Sequence, residues 1–283
     1  MFSAEKDCYA TLPRESQSIL MATKKKFLVV TDLDSTLLDH NYNCDEAEPA
    51  IASLRELELP LVLNSSKTVA EMKNLAMHLG LHSPLVAENG GLLAIPNEST
   101  GDYSVQIKGL PRKEILEAAH NLRSQMGYKF EGFADWSDQE LAVRSGLSIT
   151  QSELSRIRLA TEPISWNDTE SHRLDFSNQL GVQGIRMLRG GHFWHLMGAP
   201  DKADGIASAL EYYQEREPDT DWHVIALGDS ANDTAMLEAA DIAVVIPHAD
   251  GAHISPKAPR VIHASFPASK GWNAAILLLL DEC

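Results

Sequence analysis

Residues 27–36 of the chain are FLVVTDLDST. The apolar and β-branched run over residues 27–30 predicts a short buried strand, and the polar residues after it lie at the carboxyl end of that strand. Open α/β sheets bind their ligands at this end of their strands. The stretch therefore predicts an α/β fold in which two carboxylates, Asp32 and Asp34, lie at the ligand-binding edge of a sheet.

The strand pattern recurs twice downstream, and a helical pattern precedes each recurrence. Apolar runs predict strands at residues 59–63 and 85–87, and amphipathic spacing predicts helices at residues 49–57 and about 69–79. A chain that alternates strands and helices in this way forms a parallel sheet.

A second α/β block lies near the C-terminus. Its predicted helices are residues 204–216, 234–240 and 271–280, and its predicted strands are residues 222–227 and 242–246. Neither block has enough strands to form a sheet alone. We therefore predict one shared sheet, a doubly wound parallel-sheet core of the Rossmann-like α/β class.

The stretch between the two blocks is too long for a simple crossover connection. It mixes helical patterns (112–126, 152–159) with strand-like ones (164–166, 193–196). We expect residues 96–190 to form an inserted α+β cap domain that sets substrate specificity. The catalytic core would then comprise residues 24–95 and 191–283, after a flexible N-terminal extension over residues 1–23.

Composition excludes several classes of partner. The 283 residues include 24 Lys and Arg against 40 Asp and Glu, for a net charge of −16, so neither nucleic acid nor an anionic membrane is an expected partner. The longest apolar run, residues 274–280, is far shorter than the roughly 20 residues that span a bilayer. Three scattered cysteines support neither a disulfide framework nor a zinc site, and they favour a reducing cytoplasm. Nothing in the sequence indicates the oligomeric state.

Four short segments could carry chemistry. Asp32 and Asp34 could act as a nucleophile that attacks phosphorus and as an acid/base. The later loop over residues 228–233, GDSAND, offers hard oxygen ligands that suit Mg²⁺. Ser65 and Lys202 could each contact a phosphate group. Each segment alone equally fits a capped turn or an ordinary surface residue.

Together, and in this order, the four segments resemble the four motifs of the haloacid dehalogenase-like phosphohydrolases. Segments around the core rim and in the insertion resemble, more closely, the pattern of the mannosyl-3-phosphoglycerate phosphatase family. These segments are residues 64–68, 87–90, 132–135, 144–147, 161–164, 190–195 and 270–272.

The resemblance implies a role for each core residue. Asp32 would be the nucleophile, Asp34 the general acid/base, Ser65 a hydrogen-bond donor to the phosphate and Lys202 the neutralising cation. The implied cofactor is Mg²⁺, which Asp32, Asp229 and the backbone carbonyl of Asp34 would hold. Asn232 and Asp233 would support the metal loop.

The resemblance also implies the substrate, a phosphorylated sugar-glycerate. The chain would hydrolyse mannosyl-3-phosphoglycerate to mannosylglycerate, a compatible solute, through an aspartyl-phosphate. The candidate substrate-binding residues are Ser66, Lys67, Glu88, Asn89, Glu162, Gly190, Gly191 and His192. His192 stands where this family commonly has an arginine, whose two-pronged grip on a carboxylate a histidine lacks.

Three alternatives stay open at this point. A phosphatase of the same fold could act on another sugar phosphate or on glucosyl-3-phosphoglycerate. A catalytically silent protein could bind sugar phosphates, although Asp32, Asp34, Lys202 and Asp229 are all present. A phosphotransferase would use the same aspartyl-phosphate.

Overall fold

The computed structural model describes residues 24–97 and 99–282. The predicted N-terminal extension, residues 1–23, lies outside the described residues. The elements, in chain order, are β1 (Lys24–Thr31), α1 (Glu48–Glu56), β2 (Leu61–Asn64), α2 (Val69–His78), β3 (Leu85–Ala87), β4 (Leu92–Asn97), β5 (Asp102–Ile107), α3 (Arg112–Met126), β6 (Phe130–Gly132), α4 (Asp138–Ser145), α5 (Ile149–Ser155), β7 (Thr161–Trp166), α6 (Glu170–Gly181), β8 (Arg186–Gly190), β9 (Phe193–Met197), α7 (Lys202–Arg216), β10 (Thr220–Gly228), α8 (Thr234–Glu238), β11 (Ile242–Val245), β12 (Arg260–His263) and α9 (Ala268–Asp281).

One sheet unites both predicted α/β blocks. Its strand order is β12-β11-β10-β1-β2-β3-β4-β5, and the first six strands are parallel. At its centre, β1 pairs with β10 from the late block and with β2 from the early one, so that Val30 lies opposite both Ala226 and Val62. The prediction of a single shared parallel sheet is confirmed.

Helices cover both faces of this sheet, as a doubly wound fold requires. On one face α1, α2 and α9 bury residues such as Ile51, Met72 and Trp272. On the other face α7 and α8 bury Ile206 and Met236. Burial of this apolar surface supplies the main driving force for assembling the core.

A smaller antiparallel sheet, with the order β6-β7-β9-β8, belongs to the insertion. Helices α3 and α6 pack on it through Ile115, Phe176 and Leu180, which meet Ile164 of β7 and Leu196 of β9. This arrangement confirms an inserted α+β unit, and residues 112–197 are called the inserted unit below.

Strand pairing moves both expected boundaries of the insertion. Strands β4 and β5 form a hairpin on the edge of the large sheet, so the core extends to Ile107 rather than to residue 95. Strand β9 is paired between β7 and β8, so the insertion includes Met197 rather than ending at residue 190. The sequence pattern at residues 92–107 gave no sign that this hairpin continues the first sheet.

Helix α5 also differs from the prediction of a helix over residues 152–159. The Ser148 side chain caps the backbone N–H of Gln151, whose side chain caps Ser148 in return, and this reciprocal pair starts the helix at Ile149. The helix ends at Ser155. Residues 156–160 therefore form an irregular segment that leads into β7. This segment contacts the catalytic core through hydrogen bonds to Ser66 and Glu88.

No helix within residues 24–97 and 99–282 combines the length and apolarity needed to cross a membrane. Cys44 is buried, and within the described residues it forms no disulfide. The other two cysteines of the sequence, Cys8 and Cys283, lie outside the described residues.

Candidate active site

The carboxyl ends of β1, β2 and β10 meet the start of α7 at one edge of the large sheet. A cleft of about 350 Å³ separates this edge from the inserted unit. Of the residues expected at the site, those that line the cleft are Asp32, Asp34, Ser66, Lys67, Gly190, Gly191, His192, Asp229 and Asn232.

Lys202 lies beneath the cleft, behind Asp32. Its ammonium contacts the Asp32 carboxylate and lies 2.6 Å from Oδ1 of Asp233. Burial lowers the pKa of Lys202, but the charges of Asp233 and Asp32 outweigh burial and raise it above the ordinary value. Asp201 holds this helix start in place because its carboxylate accepts the backbone N–H groups of Ala203 and Asp204.

Three carboxylates lie together at the floor of the cleft. Asp32, Asp229 and Asp233 each offer an oxygen, and these oxygens all lie within 4.8 Å of one another. Burial, followed by the charge of Asp233, raises the pKa of Asp32 well above its usual range, although Lys202 partly opposes this shift. The same two causes raise the pKa of Asp229 to about 6.

This donor set fits a magnesium ion. Packing like charges out of water is unfavourable, and a cation between them would relieve the repulsion. Hard carboxylate oxygens are the protein ligands that Mg²⁺ prefers. Asp233 joins the cluster through its side chain. The expected contribution of the Asp34 backbone carbonyl stays a prediction.

The loop after β10 is built around Asp233. Its Oδ2 accepts the backbone N–H groups of Asp229 (3.1 Å) and Ser230 (3.0 Å). Asn232 braces the same turn because its Oδ1 accepts the Ser230 hydroxyl at 2.6 Å. A Cβ on Gly228 would lie 2.5 Å from the Cβ of Asp233, so the loop closes this tightly only with glycine there.

Asp34 is paired with a lysine on the cleft wall. Nζ of Lys67 lies 3.0 Å from Oδ1 of Asp34 and 4.8 Å from the centre of the Tyr42 ring. Burial lowers the pKa of Lys67, but the carboxylates of Asp34 and Glu71 outweigh it and raise the pKa. This ion pair holds the Asp34 carboxylate in a defined position at the mouth of the site.

Asp229 has two further partners that the sequence did not identify. The Thr36 hydroxyl donates to Oδ1 of Asp229 at 2.9 Å, and Nε2 of His248 lies 2.9 Å from Oδ2. His248 lines the cleft and stacks on His253, with the ring centres 4.1 Å apart. His248 lies in an irregular loop after β11, where no sequence motif indicated a functional residue.

Ser65 is buried rather than on the cleft surface. Its hydroxyl oxygen accepts the backbone N–H of Lys67 at 3.3 Å, which shapes the turn after β2. The residues of this turn that line the cleft are Ser66 and Lys67. The expected contact between Ser65 and a phosphate group stays a prediction.

Two predicted substrate-binding carboxylates are engaged elsewhere. Glu88 accepts the backbone N–H groups of Leu159 (2.8 Å) and Ala160 (3.0 Å) and the Thr161 hydroxyl (2.7 Å), which ties the core to the inserted unit. Glu162 accepts the backbone N–H of Ala134 and pairs with the Arg112 guanidinium. Neither carboxylate is among the residues that line the cleft, and the expected contacts of Glu88 and Glu162 with substrate stay predictions.

Asn89 is also buried away from the cleft, at a backbone φ of +56°. The same turn continues into Gly90, where a Cβ would lie 1.9 Å from the backbone oxygen of Asp201. The turn after β3 therefore packs directly on the cap of α7. This packing supports the start of α7 at Lys202, and the expected contact between Asn89 and the substrate stays a prediction.

The turn between β8 and β9 forms the wall opposite the carboxylates. Gly190, Gly191 and His192 line the cleft there, as expected, and the ring of His192 is exposed. Phe193 also lines it, while packing edge-on against Phe133 with ring centres 5.1 Å apart.

Sequence patterns missed two buried basic side chains on this wall, Arg158 and His195. Burial, then the charge of Arg158, lowers the pKa of His195 to about 3, so its imidazole is neutral at physiological pH. Arg158 follows a short helix and lies outside the segments that resemble the family. His195 lies in β9, at the end of the segment over residues 190–195, but its residue type and position there predicted no role.

Comparisons with known proteins agree with this architecture. A family model described as haloacid dehalogenase-like hydrolase matches residues 29–153. A glucosyl-3-phosphoglycerate/mannosyl-3-phosphoglycerate phosphatase from Methanococcoides burtonii is 33% identical over 269 residues, which cover 91% of this chain and 98% of that protein.

Two solved structures share the fold. A Thermoplasma acidophilum protein aligns with a TM-score of 0.69 at 16% identity, covering 91% of this chain and 99% of that one. A phosphatase of the haloalkanoate superfamily from Bacteroides thetaiotaomicron aligns with a TM-score of 0.66 at 14% identity, covering 97% and 100%.

Proposed function

The chain belongs to the haloacid dehalogenase-like hydrolases and is a phosphoric monoester hydrolase, and on this premise we propose that it hydrolyses mannosyl-3-phosphoglycerate in a Mg²⁺-dependent reaction. The observation that carries the proposal is the buried cluster of Asp32, Asp229 and Asp233 with the ammonium of Lys202 against it. The substrate is suggested by the name of the relative from Methanococcoides burtonii.

The reaction proceeds in two displacements. Asp32 attacks the phosphorus atom, the bond between phosphorus and the ester oxygen breaks, and Asp34 gives its proton to the departing alkoxide. Water then attacks the aspartyl-phosphate, Asp34 takes up the proton of that water, and inorganic phosphate leaves with Asp32 restored. The acyl-phosphate divides one difficult displacement into two easier ones.

Charge is the main obstacle in both displacements. Lys202 is positioned to offset negative charge next to Asp32, and its burial strengthens this effect because water does not screen it. Bound at Asp32, Asp229 and the Asp34 carbonyl, Mg²⁺ would supply further neutralisation of the phosphoryl oxygens. Asp233 and Asn232 keep the metal loop in shape.

The inserted unit serves as a cap over the substrate. It contributes the turn at Gly190, Gly191 and His192 to the cleft. By closing over the bound substrate, it would exclude bulk water while Asp32 attacks the phosphorus atom. The product mannosylglycerate is a compatible solute, and the scattered cysteines favour a reducing cytoplasm as the site of action.

Glucosyl-3-phosphoglycerate is the second candidate substrate. The name of the 33% identical relative includes both sugars, and His192 replaces the arginine that is common in the mannosyl-specific family. Because a histidine lacks the two-pronged grip of that arginine on a carboxylate, the substrate preference is expected to differ from that of the mannosyl-specific family.

Phosphate release tests the proposal directly. Mannosyl-3-phosphoglycerate, its glucosyl analogue and mannose 6-phosphate are supplied with and without Mg²⁺, and Asp32→Asn serves as the inactive variant. Asp219→Asn, at an exposed position far from the cleft, is the matched control. We expect Mg²⁺-dependent release with a preference for the two glycosyl-phosphoglycerates. Release that survives Asp32→Asn would overturn the proposed nucleophile, and equal weak release from every substrate would overturn the proposed specificity.

A further inference from the structure

We infer that Arg158 binds a carboxylate group of the substrate and thereby selects phosphomonoesters that carry a second anionic group. The inference rests on the proposed phosphatase function, but it concerns the part of the substrate that is not transferred. It adds a specificity-determining residue that lies outside the chemistry-bearing segments of the sequence.

Arg158 lies in the irregular segment between α5 and β7. Its side chain lines the cleft although the residue is only 8% exposed. The guanidinium lies over the Phe133 ring, 5.4 Å from its centre, and this contact limits its orientation. Arg158 is thus a held, buried cation on the wall of the inserted unit.

The hydrogen bonds of Arg158 leave one edge of its guanidinium unused. Both bonds come from Nη1, which donates to the backbone oxygen of Ser66 at 3.1 Å and to the Thr161 hydroxyl at 2.9 Å. Nε is buried and has no hydrogen-bond partner among the residues that the structure describes. The edge formed by Nε and Nη2 carries two parallel N–H groups, which match the two oxygens of a carboxylate.

The charge of Arg158 is also unpaired. Within the part of the chain that the structure describes, no carboxylate oxygen lies within 4.0 Å of its guanidinium. The two lysines of the site differ, since Lys67 pairs with Asp34 and Lys202 contacts Asp32. The buried Glu162 carboxylate, whose pKa burial raises and the charge of Arg158 partly lowers, offsets this charge only from a distance. A ligand that brings an anion into direct contact with Arg158 therefore gains more than it would at an exposed arginine.

The anion at Arg158 is not the transferred phosphoryl group. That group must meet Asp32, where the Lys202 ammonium supplies positive charge and a Mg²⁺ ion held by the carboxylate cluster would supply more. Arg158 instead bridges Ser66 of the core and Thr161 of the inserted unit, and its charge, after burial, lowers the pKa of the cap residue His195. A substrate with a phosphate at one end and a carboxylate nearby fits these two separate cationic positions.

A matched pair of substrates tests the inference. 3-Phosphoglycerate and glycerol 3-phosphate differ mainly in a carboxylate that is replaced by a hydroxymethyl group. The readout is the ratio of their kcat/KM values, and this ratio is insensitive to the folded fraction because both substrates are measured on the same preparation. The variants are Arg158→Gln and Arg158→Lys. The control is Arg156→Gln, whose guanidinium pairs with Asp138 at 2.6 Å outside the cleft.

We expect Arg158→Gln to lower the ratio by about 30-fold or more, the size expected for one lost charged hydrogen-bond pair. The ratio for Arg158→Lys should lie between those of the wild type and Arg158→Gln, because lysine keeps the charge but lacks the two parallel N–H groups of arginine. Arg156→Gln should change the ratio less than about twofold. An unchanged ratio in Arg158→Gln, or equal losses on both substrates, would overturn the inference.

Binding separates this inference from the proposed function. Calorimetric titration of 3-phosphoglycerate into Asp32→Asn, with and without Arg158→Gln, needs no turnover. Binding that depends on Arg158 in a protein that releases no phosphate would sink the proposed function and support the inference. If the wild type releases phosphate and Arg158→Gln leaves the ratio of kcat/KM values unchanged, the proposed function would be supported and the inference overturned.

Discussion

Nζ of Lys202 lies 2.6 Å from Oδ1 of Asp233, and both side chains are almost completely buried. The same ammonium contacts Asp32, so one cation balances two carboxylates away from water. Removal of one member of such a group leaves uncompensated buried charge. The site therefore couples stability to catalysis through Lys202.

We predict that Lys202→Met lowers the free energy of unfolding by about 3 kcal/mol at pH 8. The loss should be smaller at pH 5, because the lower pH and the raised pKa of Asp32 both favour its protonated form, which removes one of the unpaired charges. Phosphate release should fall by about 100- to 1,000-fold. Denaturant unfolding at the two pH values measures the first effect, with exposed Lys113→Met as control. Equal losses at both pH values would contradict this account.

His195 predicts how stability depends on pH. The folded protein keeps this buried imidazole neutral down to a pH of about 3, while in the unfolded chain it takes up a proton near pH 6.5. Between these values the unfolded state binds more protons, so stability falls as pH is lowered from about 6.5 towards 3. The contribution reaches at most about 5 kcal/mol.

Unfolding free energies of the wild type and His195→Gln, measured across that pH range, isolate the contribution of this residue. Glutamine does not titrate, so its curve should be flatter than that of the wild type. His78→Gln removes an exposed histidine and should leave the slope unchanged. Parallel curves for the wild type and His195→Gln would show that the imidazole is not held neutral.

Glu88 joins the two parts of the molecule and predicts a second stability effect. Its carboxylate accepts three hydrogen bonds from residues 159–161. Glu88→Gln places an amide N–H₂ against at least one N–H donor, and we expect the free energy of unfolding to drop by about 2 kcal/mol. Glu153→Gln, an exposed change on the inserted unit, is the control. An unaffected Glu88→Gln would mean that the amide finds other partners.

The backbone conformation of Ser35 leads us to predict that a substitution at this position stabilises the protein. Its backbone φ is +62°, a left-handed conformation that side chains with a Cβ adopt at a cost. Ser35→Gly removes that cost and should raise the free energy of unfolding by about 0.5–1 kcal/mol. Ser35→Ala keeps the Cβ and should show no gain. A gain in both variants would trace the effect to the hydroxyl instead.

Residues at the strand ends were the predictable part of the site. Asp32, Lys202 and Asp229 follow or begin regular elements of a parallel sheet, and such elements place their ends at one edge. Local patterns therefore placed them together before any contact was known. Hydrophobic periodicity also predicted the bounds of β3 and α3 as the structure has them, Leu85–Ala87 and Arg112–Met126.

Long-range partners were not predictable from local patterns. Glu88 and Glu162 look like free polar groups at strand ends, but their partners lie on segments distant in sequence, residues 159–161 and Arg112. The sequence pattern did not predict helix α6, because the helix buries only Phe176 and Leu180, and two residues are too few for a clear helical period. Arg158 lies in a segment with no regular period at all.

The pairing of β1 with β10 has a consequence for synthesis of the chain. Lys24 pairs with Thr220, and every residue of the inserted unit is made between them. Until β10 leaves the ribosome, β1 has one apolar edge without a neighbour, and such an edge can recruit strands from other chains. The inserted unit has its own sheet and hydrophobic core, so it can fold before β10 is available to pair with β1. Nascent chains that stop before residue 220 should accordingly be the ones that depend on chaperones.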